Sequence, residues 1–158
     1  MITHLEVGGI APSFVTSDYE GNAIRLSDYK GKKVILYFYP RDSTPGCTAQ
    51  ACNLRDNYTD LQAQGFEVLG VSPDTALKHE KFIKKNALPF PLLMDTDLAL
   101  HKAYGVWGEK KFMGRIYDGT HRTTFIIDEE GIIQEVIKRV KTKTHTTQIL
   151  EALKNSVG

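Results

Sequence analysis

Residues 33–39, KVILYFY, constrain this chain more than any other segment. Apolar, β-branched and aromatic residues follow one another there without polar alternation, so a strand built from them has no face suited to water. Such a strand needs cover on both sides, as an interior strand of a sheet between helices has. Pro40 ends it, because proline brings no N–H to the ladder. The neighbouring patterns alternate at short spacing. Residues 66–71 and 92–94 read as further apolar strands, and a long helix is expected over residues 45–64, closed by Gly65. Ser72-Pro73-Asp74 reads as an N-cap with proline at the first helical position, opening a helix to about Lys85. Asp95-Thr96-Asp97 caps a short helix that stops at Gly105. Residues 123–128 and 132–140 read as strands joined by Glu129-Glu130-Gly131, and the last helix covers residues 146–155. Near the start, residues 13–17 and 22–26 flank Tyr19-Glu20-Gly21 as a small hairpin. The order implies an α/β fold. A central mixed β-sheet flanked by helices follows an N-terminal hairpin extension, with parallel crossovers first and an antiparallel pair last.

The chain has 158 residues and shows no internal repeat, low-complexity tract or linker, so one domain over residues 1–158 is expected. Twenty Lys and Arg stand against 19 Asp and Glu, a formal net charge of +1. That balance argues against nucleic-acid binding by bulk electrostatics. The basic stretches, Lys110-Lys111 to Arg115 and residues 138–143, are interrupted or flanked by Glu109, Asp118 and Glu135 and read as solvated faces. The longest apolar run, residues 34–39, is far short of the ~20 residues a spanning helix needs. The first twelve residues lack a basic segment followed by an apolar one, so a cytoplasmic location without membrane contact is the expectation. Thiols stay reduced in that compartment, and a disulfide there is transient and functional.

The chain carries two cysteines, both in the segment Y-P-R-D-S-T-P-G-C-T-A-Q-A-C at a strand-to-helix junction. With Thr44 as N-cap, Pro45, Gly46 and Cys47 take the first three helical positions, and the Thr44 hydroxyl is expected to accept a hydrogen bond from the second or third amide, beside Cys47. A sulfur in the first helical turn sits at the positive end of the helix dipole, which favours thiolate over thiol. Cys52 lies five residues on. A five-residue step on a regular helix separates Cα atoms by about 8.7 Å and turns by about 140°. Disulfides need Cα atoms within roughly 7 Å. If the two pair, the first turns of the helix must unwind. Other readings compete. Either cysteine alone is as readily a small core residue. Thr-Pro is a common helix start. Zinc would need two more ligands, and the five histidines (His4, His79, His101, His121, His145) show no paired spacing, which argues against a metal. A thioredoxin-type exchanger would carry C-x-x-C, a different spacing.

Pro40-x-x-x-Thr44-x-x-Cys47 resembles the active-site signature of the peroxiredoxins. Thr44-Pro45-Gly46-Cys47-Thr48 with Cys52 five residues on is similar to their Q-type, or bacterioferritin-comigratory, subfamily. The similarity spans essentially the whole chain, through Gly8-x-x-Ala11-Pro12-x-Phe14, Val71-Ser72-Pro73-Asp74, Leu92-Leu93-Met94-Asp95, Tyr104-Gly105-Val106-Trp107-Gly108 and Arg122-Thr123-Thr124-Phe125-Ile126-Ile127-Asp128.

The resemblance implies a thioredoxin-like fold and a thiol peroxidase acting on hydrogen peroxide and organic hydroperoxides. Cys47 resembles the peroxidatic cysteine, oxidised to a sulfenic acid. Cys52 resembles the resolving cysteine, closing an intramolecular disulfide that thioredoxin or a similar dithiol reduces. Arg122 matches the family's active-site arginine, a fixed charge and forked donor for thiolate and peroxide. Thr44 would hydrogen-bond the peroxide while the Cys47 amide meets developing oxygen charge. Pro40 would shield the thiolate. No cofactor and no metal are implied, and a monomer is expected. The alternatives on the same fold are a peroxide sensor, or a disulfide-exchange or binding protein without peroxidase turnover.

Overall fold

The computed structural model describes residues 3–157; Met1, Ile2 and Gly158 lie outside the described residues. The chain opens with the expected hairpin, β1 (Val15–Ser17) antiparallel to β2 (Ala23–Arg25). β3 (Lys33–Phe38) then enters the middle of a five-stranded sheet. Helices α1 (Pro45–Asp56) and α2 (Tyr58–Ala63) lead to β4 (Phe66–Ser72), which pairs parallel to β3. α3 (Ala76–Asn86) crosses to β5 (Leu92–Met94), parallel to β4. After α4 (Ala99–Ala103) comes a separate hairpin, β6 (Trp107–Phe112) with β7 (Arg115–Thr120). β8 (Thr123–Ile127) returns antiparallel along the other side of β3, β9 (Ile133–Ile137) pairs antiparallel with β8, and α5 (His145–Val157) closes the chain. The sheet order is β5-β4-β3-β8-β9, mixed in direction as the element order implies.

β3 is covered on both faces. Val34 to Tyr39 are each no more than 1% exposed. Ile35, Tyr37 and Tyr39 pack with Ala51 and Leu54 of α1, Phe82 of α3 and Ile149 and Leu153 of α5. Val34, Leu36 and Phe38 pack on the opposite face with Leu100, Tyr104, Val106 and Phe125. Strand side chains alternate in direction, so one apolar run feeds two cores. Gly70 of β4 makes this possible beside Tyr37. A Cβ there would fall 2.7 Å from Leu92 Cδ2 and 2.8 Å from the Tyr37 ring.

The helix expected over 45–64 is broken at Asn57, which takes φ −111° and ψ 7°. Its amide donates to the Asn53 carbonyl at 2.8 Å, and such side-chain bonds compete with the helix ladder. Ser72 is not a cap but the last residue of β4, and the N-cap of α3 is Thr75. The Ser72 hydroxyl instead donates to Asp74 Oδ2 at 2.8 Å. The acidic start of α4 holds: Asp95 accepts from the Leu100 and His101 amides and Asp97 from that of Ala99. Burial pulls the Asp95 carboxyl upward, but hydrogen bonds from His101 and Leu100 outweigh it and leave the group below its usual range.

The β6–β7 hairpin is absent from the sequence reading, which treated residues 110–115 as a solvated face. Its strands are largely exposed and carry Glu109, Lys110, Lys111, Arg115 and Asp118, so no apolar alternation marks them. The turn is Met113-Gly114, both at positive φ (51° and 77°), as a two-residue hairpin turn requires. For methionine this conformation costs about 1 kcal/mol.

His145 at the start of α5 is fully buried. Its Nδ1–H donates to Gln148 Oε1 at 2.9 Å, so Nε2 accepts from the Thr124 hydroxyl at 2.8 Å. Burial lowers its pKa from 6.5 to about 4, against the hydrogen bond with Gln148 and with help from the charge of Arg122. The unfolded chain therefore takes up a proton between those values and the folded one does not. Stability from this group is complete above about pH 6.5 and is lost as pH falls towards 4, on the order of 3 kcal/mol in all. Urea midpoints measured between pH 7 and 5 should fall with acidity, and His145→Gln should flatten that slope; an unchanged slope would remove His145 as the cause.

Candidate active site

The site forms where the main-chain ladder between β3 and β4 ends. Tyr39 N–H still donates to Val71 O at 3.0 Å, and then Pro40 turns the chain away from the sheet. Residues 41–44 form a short loop in which Ser43 is left-handed (φ 64°). Thr44 is extended and is the N-cap residue of α1, with Pro45 in the first turn, as expected. The expected capping bond is absent. Thr44 Oγ1 donates to the Arg41 carbonyl at 2.8 Å rather than accepting from an amide of the first turn. The left-handed Ser43 folds the loop back, which brings that carbonyl within reach of the hydroxyl. The first-turn amides keep no side-chain acceptor and remain donors at the mouth of the site.

Cys47 is 1% exposed. Arg122 Nη2 donates to its Sγ at 3.2 Å, while Nη1 donates to Gln50 Oε1 at 2.6 Å. The two residues are 75 apart in sequence, and strand register joins them. β8 pairs antiparallel with β3, with Thr123 opposite Phe38 and Ile127 opposite Val34. One more step puts Arg122 opposite Tyr39, next to the loop that leads into α1. Gly46 also lies beside the guanidinium, with Arg122 Nη2 3.4 Å from where a Cβ would stand, an ordinary contact distance.

Three contributors were not expected. Gln50 is fully buried and sits one turn after Cys47, where it fixes the guanidinium plane. Its i+3 spacing from Cys47 is the only sequence signal it gives. Lys110 arrives from the unforeseen hairpin and donates to Thr120 O at 2.9 Å. Burial, then the like charge of Arg122, push its ammonium below the usual range, while Cys47 acts in the opposite sense. Asn86 closes α3 beside Cys52.

Cys52 is half-buried, and its S–H donates to Asn86 Oδ1 at 3.7 Å. Asn86 Nδ2 is held by Phe82 O at 3.1 Å, and Asn86 O accepts from Arg55 Nη1 at 2.8 Å. On its other side α1 is tied to α5. Asn53 Nδ2 donates to Lys143 O at 3.0 Å, and Asn53 Oδ1 accepts from Thr146 N at 2.8 Å. Both cysteines are free thiols in one continuous helical segment, so the separation derived above holds and no disulfide can close without unwinding. Pro40 is half-buried at the head of the loop.

Asp42, Asp74 and His79 are also clustered near this loop, with ligand-type atoms within 4.8 Å of one another. These atoms are engaged with each other and with Tyr39 and Ser72, as in a hydrogen-bonded network.

A sulfur sheltered from bulk water, next to a forked cationic donor that could also grip an incoming oxygen, suits the two-electron reduction of an O–O bond. The class is that of the thiol-dependent peroxidases on a thioredoxin-like sheet. Comparison with known proteins agrees. Residues 7–136 match the model of the AhpC/TSA family. Peroxiredoxin Bcp of Escherichia coli K12 is 47% identical over 150 residues, covering 95% of this chain and 96% of that protein. Peroxiredoxin Bcp of Bacillus subtilis is 44% identical over 151 residues, covering 96% of each. Among solved structures, a cysteine-to-serine variant of Xylella fastidiosa peroxiredoxin Q superposes with a TM-score of 0.89 at 31% identity over 99% of both chains. Xanthomonas campestris bacterioferritin comigratory protein, studied for alkyl peroxide reduction, gives 0.85 at 32% identity over 99% of both. The chain belongs to the AhpC/TSA family and is a peroxiredoxin, an enzyme that uses a peroxide substrate and a reductant.

Gln50→Ala should leave the fold intact but free the guanidinium to rotate. The second-order rate of Cys47 oxidation, followed by stopped flow, is then expected to fall about tenfold, or ~1.4 kcal/mol in barrier. A wild-type rate would mean that Arg122 is oriented without it.

Proposed function

We propose that this peroxiredoxin reduces hydrogen peroxide and organic hydroperoxides through Cys47 and resolves through Cys52. The Cys47 thiolate attacks the distal peroxide oxygen. The O–O bond breaks, water or an alcohol leaves, and the sulfur becomes a sulfenic acid. The contact of Arg122 Nη2 with Cys47 Sγ at 3.2 Å carries this reading, because the same fork can hold the sulfur and the peroxide oxygens as the O–O bond breaks. The uncapped amide of Cys47 and the Thr44 hydroxyl, once it turns from the Arg41 carbonyl, are donors for the peroxide oxygens. Pro40 limits access of bulk water. The alkyl peroxide reduction described for the Xanthomonas protein supports organic hydroperoxides as part of the substrate class.

Cys52 then attacks the sulfenic sulfur. An S–S bond forms, the S–O bond breaks, and the thiol proton leaves with the hydroxyl as water. The first turns of α1 unwind to allow it. Gly46 and the missing side-chain cap weaken that end, while Asn53 and Arg55 hold the other. Thioredoxin or a similar dithiol returns both thiols by exchange. The resolving partner is in the same chain, so the enzyme acts as a monomer, a single domain over residues 1–158, in a reducing compartment such as the cytoplasm. No helix of the described residues is long and apolar enough to cross a membrane. No nucleic acid partner is needed.

Cys47→Ser should abolish peroxide consumption with thioredoxin as reductant. Cys52→Ser should keep a single round of oxidation yet lose at least 90% of recycling, roughly a tenfold loss. One equivalent of peroxide given to the wild type should remove two hydrogens by mass and lower the helical signal in circular dichroism. Full turnover by Cys47→Ser would sink the assignment, and an unchanged helical signal would sink the unwinding step.

A further inference from the structure

The loop from Pro40 to Thr44 is anchored from below by a network that the peroxidase reaction does not call upon. Asp42, at its centre, points inward with a side chain that is 2% exposed. Its Oδ1 accepts from the Tyr39 hydroxyl at 2.6 Å. Its Oδ2 lies 2.5 Å from His79 Nδ1, and its N–H donates to Asp74 Oδ2 at 2.7 Å. His79 stands in the first turn of α3 and is fully buried. Its Nε2 lies 3.2 Å from the Leu93 carbonyl of β5. That carbonyl can only accept, so Nε2–H is the donor to it, and Nδ1 faces Asp42 Oδ2. The remaining Asp74 oxygen faces Lys78 Nζ at 4.0 Å. Every acceptor and donor of the histidine–aspartate pair is thereby satisfied, the condition under which a buried pair specifies one geometry.

This anchor grips the residue midway between Pro40 and Thr44, next to the left-handed Ser43. A non-glycine residue holds such a conformation when its surroundings over-determine it. We propose that His79 is the positioning residue of the active-site loop: acting through Asp42, it sets Thr44 and the first turn of α1 against Arg122. It touches neither sulfur nor peroxide. Tyr39 just past the end of β3, His79 of α3 and Leu93 of β5 meet at the Asp42–His79 pair, so the loop takes its shape from the scaffold rather than from α1. The loop then has a fixed end from which the unwound turns of α1 can re-form after each reduction. The inference rests on the reading of Cys47 as the peroxidatic thiol.

The test compares His79→Leu, the paired variant Asp42→Ala with His79→Leu, and Asp42→Ala alone, with Cys47→Ser alongside. His79→Leu alone leaves a buried carboxylate without its partner and should melt at a lower temperature. The paired variant removes both members of the pair and should recover most of that loss, since replacing a whole buried pair is far less disruptive than breaking it. At a temperature well below every melting midpoint, the second-order rate of Cys47 oxidation in the paired variant should still be about tenfold below wild type, and more of Cys47 should reach the sulfinic acid under excess peroxide, read as a gain of two oxygens by mass. A structural role alone would restore rate together with melting temperature, so a stable paired variant with a wild-type rate would overturn the proposal. Should both leucine variants fail to fold, Asp42→Ala decides on the same readout: it removes the carboxylate through which His79 acts, and a wild-type rate there would equally overturn it. Peroxide consumption by Cys47→Ser would count against the reading of Cys47 and leave His79 to be judged on loop geometry alone.

Discussion

One guanidinium joins the two halves of the chemistry. Arg122 reaches Cys47 and Gln50 at once, from the strand laid antiparallel against β3, and neither helix dipole nor loop could hold the sulfur in that relation alone. The pairing of Thr123 with Phe38 sets the arginine at the level where Pro40 turns the chain out of the sheet. A slip of one residue in that register would send Arg122 to the opposite face, towards the core around Tyr104 and Phe125. The fully buried run of β3 prevents such a slip, because both of its faces are committed to side chains that have no place in water. Packing of the sheet and the reactivity of the cysteine are in this sense one constraint.

α1 answers two opposed demands. It holds Cys47 beneath Arg122, and under the proposed cycle it comes apart for Cys52 to be reached. The structure divides these demands along the helix. The second half is bolted on both flanks, to α5 through Asn53 and to the end of α3 through Arg55 and Cys52. The first turn carries glycine, lacks a side-chain cap and depends on tertiary contacts from Arg122. The proposed unwinding would therefore begin where the helix has least of its own to lose.

Buried histidines recur around the sheet, and each solves a local problem of connection. His101 takes Asp95 Oδ2 at 2.6 Å and Thr120 at 2.9 Å, linking α4 to the base of the β6–β7 hairpin. His145 joins α5 to β8 through Thr124. His79 joins α3 to the active-site loop. All three bridge elements distant in sequence with two directed contacts from one rigid ring, which apolar packing alone would leave free to slide.

Much of this was open to reading from local pattern. The unbroken apolar run of 33–39 required a two-sided strand, Thr44-Pro45 marked a helix start, and Gly65 and Glu129-Glu130-Gly131 marked turns, because these depend on residues a few positions apart. The same reading failed where a nearby hydrogen bond or an exposed strand overrode the pattern. Asn57 broke a helix by taking the Asn53 carbonyl, Ser72 went to Asp74 instead of capping α3, and the β6–β7 strands had no apolar face to reveal them. By itself, then, the sequence determined the sheet's central strand, the junction that presents Cys47 and the five-residue gap to Cys52, since chain chemistry and helix pitch suffice for these. Only the tertiary structure decided that Arg122 meets the sulfur and Gln50 meets Arg122, that Thr44 turns to Arg41 rather than to the helix, and that His79 underpins the loop. Each of those relations is fixed by strand register and burial between segments that no local pattern connects.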